Sequence, residues 1–134
     1  MARSVRLTAY AADGSVLECI EPPCWERVDE IAGPLVWREA DSSMPGYYDI
    51  EADITKEGVR KLHEQFRHWP EGHIEFFEAD LKRRAPDDPY RKEEEGQLEW
   101  VRAKLKTLDD LVSDKTPSDV RFVICIFEWE SGLG

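Results

Sequence analysis

The sequence predicts one α+β domain spanning residues 1–134, with a single mixed or antiparallel sheet of about five strands and two main helices packed on one face. Three observations lead there. Segments of alternating polarity lie near the start and in the middle of the chain, two segments carry a single apolar stripe at helical spacing, and an apolar run closes the chain. A chain of 134 residues with 41% hydrophobic residues and five tryptophans has enough material for one core.

In chain order, Val5, Leu7 and Ala9 alternate with Arg6, Thr8 and Tyr10, the period of a half-buried strand. Asp13-Gly14 is a hairpin signal, Ser15 to Ile20 is the returning strand, and Pro22-Pro23 stops it. Trp25, Val28 and Ile31 allow one short helical turn, and Pro34 to Glu39 reads as a third strand. Asp41 to Gly46 is a turn-rich loop. Tyr47 to Ile54 is the clearest strand: Tyr48, Ile50, Ala52 and Ile54 face one way, Asp49, Glu51 and Asp53 the other. Thr55 is placed to cap a helix whose stripe is Val59, Leu62, Phe66 and Trp69, with Pro70-Glu71-Gly72 as its stop. Residues 73–81 fit either a helix or a strand. Arg83 to Gly96 reads as a mobile polar loop, followed by a helix on Leu98, Val101, Leu105, Leu108 and Val112. Val120 to Trp129 reads as a central strand pairing with the early ones, so that the two chain ends meet in one sheet.

The net charge of −11 repels phosphate backbones, so the expected partner is a basic protein and not nucleic acid. Residues 41–80 hold 10 acidic and 4 basic side chains and so carry over half of that charge. No apolar run approaches the roughly 20 residues that span a bilayer. The N-terminal segment does not read as a signal peptide. An odd count of three cysteines fits a reducing compartment, so the expected location is the cytoplasm.

No motif names a chemistry. Cys19 and Cys24 lack a second ligand pair, and His63, His68 and His73 form no H-E-x-x-H pattern and read as a solvated polar face. No serine sits in a G-x-S-x-G elbow. The expectation is no catalytic residue, no metal and no cofactor; the oligomeric state stays open. The acidic row Asp49, Glu51, Asp53 is the most specific feature, since three carboxylates about 7 Å apart repel unless a cation or a basic partner faces them. Trp100 falls opposite the stripe of its helix, and Trp129 lies between Glu128 and Glu130, as interface hot spots often do.

In length, acidity and lack of a catalytic motif, with Asp49, Glu51, Asp53, Glu128, Trp129 and Glu130, the chain resembles bacterial toxin-immunity proteins. The resemblance implies a basic toxin partner and an interface rich in carboxylates, to which Trp100 is added by its phase. Two alternatives stand beside it: a small enzyme with a pocket built from Asp49, Glu51 and His68, and a structural or phage-type accessory protein.

Overall fold

A computed structural model describes the backbone of residues 2–22, 25–40 and 47–129, and the side chains of 4–22, 25–40 and 50–127. Strands β1 (Ala2–Tyr10), β2 (Val16–Ile20), β3 (Arg38–Glu39), β4 (Tyr47–Ile54) and β5 (Arg121–Trp129) form one sheet in the order β2-β1-β5-β4-β3. Every neighbouring pair is antiparallel. The last strand is therefore the middle one, paired with β1 over Ala2↔Trp129 to Tyr10↔Arg121 and with β4 over Tyr47↔Trp129 to Ile54↔Phe122. Four helices complete the described residues: α1 (Val28–Ala32), α2 (Lys56–Phe66), α3 (His68–Arg83) and α4 (Arg91–Val112).

The alternation read from the sequence places the core. Val5, Leu7 and Ala9 meet Ile126, Ile124 and Phe122 across the β1–β5 ladder, and Ala52 and Ile54 continue the layer on β4. These side chains form one buried cluster with Val28 of α1, Val59 and Leu62 of α2, and Leu108 and Leu111 of α4. Helices thus cover one face. At the hairpin, Gly14 takes a positive φ of 87°, which suits glycine, and Asp13 Oδ1 accepts the Ser15 N–H at 2.9 Å. Thr55 Oγ1 accepts the Gly58 N–H at 3.0 Å and starts α2. Lys56 Nζ donates to the Ser113 and Thr116 carbonyls at 2.7 and 2.9 Å, tying the start of α2 to the turn that follows α4.

Three sequence expectations are corrected and one open alternative is resolved. The third strand narrows to Arg38–Glu39. Pro70 and Gly72 do not end a helix: the chain turns at Arg67 and restarts as α3, with Pro70 in the first turn, where a missing N–H leaves no gap. Residues 73–81 are helical. Arg83 to Gly96 is not one loop, because α4 begins at Arg91. Asp88 Oδ1 accepts the Tyr90 N–H at 2.8 Å just ahead of it, Arg91 donates to the Leu81 and Arg84 carbonyls, and Glu93 and Glu94 sit favourably in its first turn.

That restart produces a helical hairpin. α3 lies along α4 and contributes nothing to the main core. Pro70 and the half-buried Ile74, Phe77 and Leu81 lie on one side of α3. Leu98 and Val101 are buried on α4, and Glu78 pairs with Arg102 between the two helices. At the connecting turn Arg84 Nε donates to Glu94 Oε2 at 2.7 Å and also pairs with Asp80 and Asp88. Trp69, expected in the core as the last member of the α2 stripe, is 42% exposed: α2 ends at Phe66, and Trp69 belongs to α3, whose half-buried side is Ile74, Phe77 and Leu81.

Candidate functional site: two faces and an aromatic anchor

The face of the sheet turned from the helices carries the acidic row. On β4, Glu51 and Asp53 point outward, opposite Cys125 and Val123 of β5. Asp49 belongs to β4 opposite Phe127, but its side chain lies outside the described residues. The carboxylates do not stand bare. Arg38 of the edge strand β3 donates to Glu51 Oε2 at 2.8 Å and reaches Asp53 Oδ1 at 3.5 Å. Arg121 of β5 donates from Nε to Asp53 Oδ1 at 2.9 Å.

The Arg121 hydrogen bond, followed by the charges of Arg121 and Arg38, outweighs burial and holds the Asp53 carboxyl below its ordinary range. The Glu51 hydrogen bond likewise pushes the Arg38 guanidinium up. Flattened arginines complete the surface: Arg6 lies 4.4 Å over the Phe127 ring and Arg121 5.8 Å from the Tyr10 ring. The expected repulsion within the row is thus relieved inside the chain, by cross-strand arginines, and calls for no outside cation. On the described part of this face three arginines stand against two carboxylates.

Trp100 sits elsewhere. It lies on α4, in the helical layer on the other side of the sheet from Glu51 and Asp53, and is 60% exposed. Lys104, one turn on, places Nζ 3.8 Å over its ring and donates from the same atom to the Glu21 carbonyl at 3.0 Å. Burial lowers the Lys104 ammonium from its ordinary value, against the raising charge of Glu21. The ring is therefore held by a cation anchored to the end of β2. Glu99 beside it and Glu93, two turns earlier on the same side, make no ion pair among the described residues. Glu128 and Trp129 belong to β5 at the register of Tyr48 and Tyr47; their side chains, and all of Glu130, lie outside the described residues.

The histidines separate. His68 and His73 are exposed, but His63 is only 4% exposed, contrary to the solvated face expected of all three. Its Nε2 lies 2.7 Å from Asp109 Oδ1 of α4, and Arg67 grips both oxygens of the same carboxylate. This node fastens α2 to α4. Sequence offered one sign of it: Val59, Leu62, His63 and Phe66 fall at i, i+3, i+4 and i+7, so His63 shares the buried stripe.

Of the pocket expected from Asp49, Glu51 and His68, the structure does not bring Glu51 and His68 together. Glu51 faces outward from the sheet, whereas His68 follows α2 in the helical layer and its Nδ1 lies 3.2 Å from the Gln65 carbonyl. Among the described residues no three His, Cys, Asp or Glu side chains are grouped to hold a metal ion. No described helix is long and apolar enough to cross a membrane. Comparison with protein-family models, with curated proteins and with solved structures finds no match.

Proposed function

We propose that this chain acts by binding a basic protein, and that its partner is a bacterial toxin domain which it neutralises. The observation that carries the reading is Trp100, a large amphipathic ring exposed on a helix, fixed by Lys104, with Glu99 and Glu93 around it in no ion pair among the described residues. A ring already held in place loses little freedom on docking, and tryptophans of this kind dominate binding energies. The net charge of −11 would steer a cationic partner toward it. The toxin as partner comes from the resemblance in size and acidity.

The open sheet face adds only to the long-range field, because its described carboxylates are already paired with cross-strand arginines. Glu51 and Asp53 lie on the other side of the sheet from Trp100 and act on encounter through the net charge, while Trp100 sets how long the complex lasts.

The test is calorimetry and stopped-flow binding against a basic toxin domain encoded beside this chain. Trp100→Ala is expected to weaken binding at least about tenfold, mainly through faster dissociation. Joint replacement Glu51→Gln and Asp53→Asn is expected to slow association several-fold at low salt and to change little at high salt. Unaltered affinity in Trp100→Ala would remove the anchor, and absence of binding by the wild-type chain would remove the reading itself.

A further inference from the structure

The solvent side of α3 carries a pattern that nothing among the described residues explains. Trp69, Gly72, Phe76 and Ala79 are all exposed and follow one another at steps of three, four and three, the spacing of a helix–helix seam. Trp69 and Phe76 are 42% and 61% exposed, and His73 between them stacks edge-on with Trp69 at 4.9 Å between ring centroids. Gly72 is the fifth of the 16 residues of α3 and has ordinary helical φ, yet a Cβ built on it would meet nothing within 4 Å. Glycine in a helix interior is unfavourable relative to alanine, and here no turn and no close approach among the described residues accounts for it.

The order of sizes is large, small, large, small, and it is its own complement. When two copies of α3 are laid antiparallel about a two-fold axis near residue 74, position 69 faces 79 and position 72 faces 76. Trp69 then covers Ala79 of the second copy, Phe76 covers Gly72, and symmetry repeats both layers. A two-fold contact requires one patch to fit itself in this way. We infer that the outer stripe of α3 is a self-association surface, on which two copies of this chain pair antiparallel through Trp69 and Phe76 seated over Ala79 and Gly72. This goes beyond the partner reading above and uses none of its residues.

The pairing is weak by construction. Each helix is about 24 Å long at 1.5 Å per residue. One such pair buries less than the roughly 1,200 Å² of the smaller stable interfaces, so dissociation in the range of about 10–100 µM is expected. The charge of −11 on each copy opposes it, so added salt should strengthen the dimer.

Sedimentation velocity of the full chain, from about 5 to 500 µM at roughly 0.15 M salt, tests the inference, with circular dichroism confirming that each variant is folded. The wild type is expected to shift from monomer to dimer over that range. Phe76→Glu and Gly72→Phe should each raise the dissociation constant at least about tenfold. The double variant Gly72→Phe with Phe76→Gly should recover pairing, because the two positions face each other and merely exchange roles. Gly96→Ala on α4, another exposed glycine with open space around it, serves as control: it should raise the melting temperature and leave association unchanged. A wild type that stays monomeric throughout overturns the inference. So does a dimer indifferent to Phe76→Glu, which would place the contact on another face, or failure of the double variant to recover, which would refute the antiparallel register.

Discussion

Replacing Phe122 by Ala is expected to lower the unfolding free energy by about 3–5 kcal/mol. Phe122 is 2% exposed on the middle strand, facing Ala9 on one side and Ile54 on the other, with the helical layer above. Truncation there removes most of an aromatic ring where three strands and the helices share contacts, and rigid neighbours on both sides cannot close the space. Chemical denaturation of variant and wild type at a few micromolar measures the difference. Phe76→Ala on α3 is the comparison: it deletes the same ring from solvent and is expected to change stability by less than about 0.5 kcal/mol. A loss under about 1 kcal/mol for Phe122→Ala would mean that the sheet is not the centre of the fold.

Asp109→Ala is expected to lower stability at pH 7 by about 1–2 kcal/mol, the lower part of the range for hydrogen bonds to a charged group because Asp109 is partly solvated. It leaves the buried His63 and the half-buried Arg67 without their shared acceptor. The same carboxylate sets a pH dependence. Burial alone would raise the Asp109 pKa, but the Arg67 and His63 hydrogen bonds outweigh it, and the folded-state value lies below the ordinary one. A group depressed on folding contributes stability above its unfolded pKa, about 3.9 for aspartate, and loses it as pH falls through the folded value. The gap between wild type and Asp109→Ala should therefore be fully open at pH 7 and narrow below about pH 4. A gap that stays constant down to pH 2 would show that the carboxylate does not ionise differently in the two states.

What the sequence disclosed and what it hid follow the range of each interaction. β4 and the Thr55 cap were legible because strand alternation and an N-cap depend on residues a few positions apart. The restart at His68 was hidden, since Pro70 and Gly72 are helix breakers in most settings, and only placement in the first turn excuses the proline. The start of α4 was hidden because the five charged residues Arg91 to Glu95 give no apolar period, although Asp88 and Arg91 organise them locally. The neutralised acidic row could not be read at all. Arg38 is 13 positions from Glu51 and Arg121 is 68 from Asp53, and only the strand order brings them together. A row of carboxylates is thus a poor sign of a docking face until its cross-strand neighbours are known, whereas the exposure of Trp100 followed from helical phase alone.

The place of β5 has a consequence for how the chain assembles during synthesis. Residues 2–112 can form the β1–β2 hairpin, the β3–β4 pair and the helices, but β1 and β4 do not touch each other and both wait for Arg121–Trp129. Until that segment leaves the ribosome, the nascent chain holds two half-sheets, each with an apolar edge ready for the wrong neighbour. Closure comes in one late step that joins segments more than a hundred residues apart, which predicts slow, all-or-none folding. Nascent chains cut before Arg121 would need a chaperone that shields strand edges.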